Sequence, residues 1–113
     1  MQEISIYLKP LSWNVLARKN HWIYTKIFNE WKQATWIAAT EAKIKPHHDP
    51  VKLHVLASWK GKRRHDIDNI ILKPVIDQLV SMGVFLDDRI GCIDEITIRG
   101  VVNAKEDCLK IGF

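Results

Sequence analysis

The sequence predicts a small mixed α/β (α+β-like) domain, a single sheet carrying two principal helices in the order β-α-β-α-β-β. Three observations predict it. A chain of 113 residues with 47% hydrophobic content has apolar material for one core and too little length for a second domain, so residues 1–113 read as one unit. Four strand-like stretches alternate with two stretches of three- and four-residue apolar spacing. No repeat or low-complexity tract interrupts them.

The first strand is read over Gln2 to Leu8, where Ile4, Ile6 and Leu8 alternate with Glu3, Ser5 and Tyr7. The stretch Lys9-Pro10-Leu11-Ser12-Trp13-Asn14 breaks the alternation, since Pro10 restricts its predecessor and Ser12 and Asn14 compete for local backbone groups. From His21 to Lys43 there is neither Pro nor Gly, and Ile23, Ile27, Trp31, Ala34 and Ala38 form one apolar stripe of a helix laid on the sheet. Trp22 and Trp36 lie off that stripe, which fits either a wide packing face or a contact between two copies. After the loop Lys45 to Pro50, the residues Val51, Leu53, Val55, Ala57 and Trp59 alternate with Lys52, His54, Leu56, Ser58 and Lys60 in a long strand.

A second helix is expected within Ile70 to Met82, with Ile71, Val75, Leu79 and Met82 inward. Pro74 is tolerated only in a first turn, so regular helix should begin near Leu72 or Lys73, and Gly83 should end it. Strands over Ile90 to Arg99 and Cys108 to Phe113, with a turn between them, are expected to close the fold as an antiparallel hairpin.

Charge is unevenly distributed. Residues 1–64 carry 12 Lys/Arg against 4 Asp/Glu, a balance of +8, whereas residues 65–113 carry 5 against 9, a balance of −4. A basic half attracts a polyanion, and clustered acids tolerate one only with cations between them. The plain alternative is a solvated basic surface, which also accounts for Lys19, Lys26, Lys32 and Lys45. Cys92 and Cys108 lack metal-site spacing and lie far in sequence from His47 and His48, so they read as small hydrophobes. No N-terminal apolar run resembles a signal peptide and no stretch approaches 18 apolar residues, so a soluble, cytoplasmic protein with no membrane role is expected.

The chemistry concentrates in Lys60 to Asp88. If the chain leaving the long strand stays extended, Asp66 and Asp68 face one side and Ile67 anchors the other. Two close carboxylates repel unless a proton or a cation intervenes. A third, from Asp87 or Asp88, would complete a hard oxygen site suited to Mg²⁺ or Mn²⁺. The preceding Lys60, Lys62, Arg63 and Arg64 suit phosphodiester oxygens, and His65 could touch phosphate or steady a carboxylate. Lys73 could balance the acids or meet a transition-state phosphate. Solvated turn aspartates and an idle helical lysine are the competing readings.

The run Arg63-Arg64-His65-Asp66-Ile67-Asp68-Asn69, followed by Lys73, Asp77, Leu79, Gly83, Phe85, Leu86, Asp87 and Asp88, closely resembles the RusA family of Holliday junction resolvases. These are small bacterial and prophage endodeoxyribonucleases acting in DNA recombination and repair. Pro10, Ser12 and Asn14 are similar to that family's loop after its first strand, and the resemblance is strongest over Lys62 to Ile90. It implies metal ligands at Asp66, Asp68 and Asp88, with Asp87 and Asn69 as neighbours of the metal site and Lys73 as the functional lysine. It also implies a homodimer that binds branched DNA, above all four-way junctions, and resolves them by paired symmetric nicks with Mg²⁺. In one respect the chain departs from the pattern: RusA-like chains place the lysine four residues after the second aspartate, whereas Lys73 lies five beyond Asp68. On continuous helix one extra residue turns a side chain by about 100°, so the insertion is expected before the regular helix. A non-catalytic DNA-binding module of the same fold, and a nuclease selective for flaps or forks, are the alternative readings.

Overall fold

A computed structural model describes residues 1–113. Strand β1 (Glu3–Ile6) is followed by a one-turn helix α1 (Trp13–Leu16), the long helix α2 (His21–Glu41) and strand β2 (Val51–Ser58). A 3₁₀ turn (Ile67–Asn69), helix α3 (Lys73–Ser81), and strands β3 (Ile93–Val101) and β4 (Cys108–Gly112) complete the chain. The architecture is the small mixed α/β fold expected, in β-α-β-α-β-β order, with α1 as an addition that begins at Trp13, near the end of the Lys9–Asn14 stretch.

The four strands form one sheet in the order β1-β4-β2-β3. Strand β2 runs parallel to β3, while β4 is antiparallel to both β1 and β2. The expected terminal hairpin is therefore not formed, because β2 lies between β3 and β4. Burial explains the arrangement. Cys108, Leu109 and Ile111 are all buried, as suits an interior strand, whereas most of β3 is exposed and takes an edge. The Val102–Asp107 connection crosses the end of β2, where Asn103 N–H donates to the Gly61 carbonyl (2.8 Å) and Ala104 N–H to the Trp59 carbonyl (2.9 Å).

Alternation along β2 buries Val51, Leu53, Val55 and Ala57, which join a continuous core with Trp31, Val75, Leu79 and Leu109. The buried line of α2 is Trp31, Thr35 and Ala39, rotated from the expected stripe so that Ile23 is exposed. Thr35 fits this line because its hydroxyl donates to the Trp31 carbonyl at 2.7 Å, which satisfies a polar group in the core. Trp22 and Trp36 remain exposed.

The start of α3 at Lys73 is the one Pro74 requires, and Gly83 leaves the helix at φ +77°. Val75 and Leu79 are fully buried, and Ile71, just before the helix, is buried as expected. Two strands differ from expectation at their ends. β1 stops at Ile6, leaving Leu8 partly exposed. β3 begins at Ile93 rather than Ile90, because Gly91 turns at φ +100° and the Asp94 carboxylate accepts its N–H at 3.2 Å. No helix is long and apolar enough to cross a membrane.

Candidate nucleic-acid interface and carboxylate segment

The candidate residues begin where β2 ends. Trp59 is buried, and its backbone N–H donates to the Val101 carbonyl at 2.9 Å. Its indole stacks on the His65 imidazole, with ring centroids 4.2 Å apart and planes 8° from parallel. The backbone N–H of Lys60 donates to the Asp107 carboxylate at 2.8 Å. The basic run is thus held at its root by the Val102–Asp107 connection and at its far end by the stack on Trp59.

The extended path expected for Asp66 to Asp68 does not form. Asp66 is extended, but Ile67–Asn69 curls into the 3₁₀ turn, closed by Asn69 N–H donating to the Asp66 carbonyl at 3.2 Å. Period-two geometry therefore does not apply, and Ile67 is 51% exposed rather than an anchor. Anchoring falls to the next residues: Ile70 is buried and bridges to Ser12, and Ile71 N–H donates to the Leu11 carbonyl at 3.0 Å. These bonds draw the Lys9–Asn14 loop against the carboxylate segment, a juxtaposition of residues more than fifty positions apart.

Between the two segments lies a cleft of about 140 Å³, lined in part by Lys9, Asn14, Arg63, Arg64, His65 and Asp66. It continues into an open groove with Arg18 and Lys19 on its wall beside Arg63. Burial lowers the His65 pKa below its usual value, and the charges of Lys9 and Arg63 lower it further, against opposing effects from Asp107 and Asp66. The cleft is electropositive at that point. Of the basic residues singled out in sequence, Arg63, Arg64 and His65 line it, whereas Lys60 and Lys62 are exposed outside it. Lys19 joins the groove wall. Lys9 and Arg18 were missed by the sequence reading, since nothing local to them indicates that they face Arg63.

The acidic residues are differently employed. Asp66, Asp68 and Asp88 are exposed, and Asn69 donates its amide N–H to the Asp68 carboxylate at 3.3 Å. Asp87 has both oxygens engaged: one accepts the Asp88 N–H at 2.8 Å and the other meets the Arg89 guanidinium at 3.0 Å. Those hydrogen bonds, the Asp88 N–H first, hold the Asp87 carboxyl below the usual carboxylate range. Lys73 lies at the first position of α3 and its ammonium pairs with Asp77 at 3.4 Å, not with Asp66, Asp68 or Asp88. By donor type the three exposed carboxylates suit a hard cation. By position they are not gathered, for no group of three His, Cys, Asp or Glu side chains is placed to hold a metal ion.

Neither a protein-family model nor a curated protein matches the chain.

Proposed function

We propose that the chain is a magnesium-dependent endodeoxyribonuclease acting on branched DNA, the activity implied by its resemblance to the RusA resolvases. The observation that supports this reading is the cationic cleft. Lys9, Arg63 and Arg64 face one another beside Asp66, with Arg18 and Lys19 extending the same surface. A phosphodiester backbone laid along the groove would meet guanidinium forks able to hold two oxygens each, and would pass beside the exposed acids.

By the resemblance, Asp66, Asp68 and Asp88 are the residues that would have to draw together to hold Mg²⁺, or Mn²⁺ in its place, since they are not gathered as they stand. Asp87 is a poorer donor because Asp88 N–H and Arg89 already use its oxygens. The chemistry such an ion would supply is activation of water and neutralisation of charge on the leaving oxygen. The protein's own part is orientation: Arg63 and Arg64 fix the phosphate, Asn69 holds the Asp68 carboxylate, and the Trp59–His65 stack sets the backbone from which the acids project.

A second reading, a DNA-binding module without cleavage, is favoured by two observations. The carboxylates are not gathered, and Lys73 is turned to Asp77. One experiment separates the readings. Wild-type protein and Asp68→Asn are incubated with a synthetic immobile four-way junction, a flap and a linear duplex, with and without Mg²⁺. A nuclease gives paired nicks with wild type only, and the variant still binds while its cleavage falls at least about a hundredfold, the scale on which a removed electrostatic contact is felt. Binding without nicking in any divalent cation leaves the module reading, and equal cutting by the variant removes Asp68 from the reaction.

A further inference from the structure

Beside the cationic groove stands an aromatic ladder that the core does not use, and we infer that it stacks unpaired bases, which makes single-stranded DNA a ligand of this face. Trp13 opens α1 and is 42% exposed. Its ring centroid lies 6.5 Å from that of Tyr24, and Tyr24 lies 4.4 Å from Phe28, with both pairs inclined by 30°. Tyr24 and Phe28 are only half-buried, and none of the three rings belongs to the continuous core.

The charges around the ladder select an anion. From Ile4 to Asn29 the chain carries Lys9, Arg18, Lys19 and Lys26 and neither Asp nor Glu. The two acids of α2, Glu30 and Glu41, both fall roughly 200° round the helix from Phe28, on its far side. Lys32, one turn beyond Phe28, has no carboxylate partner. At the other end of the ladder Asn14, the residue after Trp13, lines both the cleft and the groove, so the rings adjoin the cationic surface.

An apolar peptide would use the rings and leave the cations idle. Duplex DNA would use the cations and leave the rings idle, because its base faces are closed within the stack. A single strand uses both, with phosphates on Arg18, Lys19 and Arg63 and bases on Trp13 and Tyr24. Every base has a π-face, so such binding tolerates any sequence. On a branched substrate the bases open to this face are those that unpair at the branch. The inference rests on the proposed function only for the groove's hold on a phosphodiester backbone, and it does not require cleavage.

The test is equilibrium binding by fluorescence anisotropy, without Mg²⁺, on three labelled ligands of equal length: oligo(dT), an abasic strand and a linear duplex. Wild type should bind oligo(dT) at least about fivefold more tightly than the abasic strand, the scale of one stacked base. Trp13→Leu and Tyr24→Leu should each remove most of that gap and leave duplex binding unchanged, whereas Trp13→Phe should keep it. Arg63→Ala should weaken all three ligands. Circular dichroism shows that each variant is folded, and the first comparison, made on wild type alone, decides even where a variant misfolds. Equal binding of oligo(dT) and the abasic strand by wild type, or a gap that survives in folded Trp13→Leu, overturns the inference, while duplex binding then leaves the groove's part in the proposed function standing. Failure of all three ligands to bind overturns both.

Discussion

Protonating His65 is harder in the folded chain than in the unfolded one, because the ring is partly desolvated and then meets Lys9 and Arg63. The sign of the stability effect follows. The unfolded chain takes up this proton first as pH falls, so the contribution of His65 is complete above its ordinary value of 6.5 and is lost as pH falls through the lower folded value. Titration followed by nuclear magnetic resonance should place the His65 pKa below 6.5 in the free protein. DNA laid across the cleft should raise it, since phosphate opposes the two cations that depress it. An unchanged titration with DNA bound would put the nucleic acid elsewhere. The same residue illustrates what a sequence conceals. His65 was legible as a neighbour of two acids, but its stacking on Trp59 depends on how the chain turns after Gly61, which no spacing rule supplies.

At the scale of elements, the start of helix α2 is fixed by its capping residue. The Asn20 side chain accepts the Ile23 N–H at 3.0 Å, satisfying one of the donors that a helix start leaves open. Asn20→Ala should cost about 1 kcal/mol of stability, read as a lowered thermal midpoint, and Asn20→Asp should cost much less. The elements were legible where covalent constraints decide them: Pro74 sets the start of α3 and Gly83 its end. They were less legible where partners decide them. Alternation in Cys108 to Phe113 shows a strand but not its neighbours, and the nearby turn suggested a hairpin that β2 in fact separates. The spacing of Asp66 and Asp68 shares this weakness, because it aligns two carboxylates only on extended backbone and the chain takes a 3₁₀ turn there.

For the whole molecule, the uneven charge seen in sequence becomes a surface with a direction. Lys9, Arg18 and Lys19, from the first twenty residues, stand beside Arg63 and Arg64 from the middle of the chain. If this surface holds a DNA backbone, affinity should fall steeply with salt. Arg63→Ala should weaken binding to all sequences alike and reduce the slope of log K against log salt by about 1, the loss of one phosphate contact. Equilibrium binding across a salt series checks this, and an unchanged slope would remove Arg63 from the interface. The sheet has a further consequence, for the order of assembly. β1 pairs only with β4, from Glu3 opposite Gly112 to Ile6 opposite Leu109, so its closure joins segments about a hundred residues apart in the chain. Contacts of such long range carry a large loop-closure entropy and slow folding. Until β1 arrives, the buried β4 offers a bare apolar edge to any passing strand, and the speed with which residues 3–6 dock decides how long the folding chain is open to aggregation.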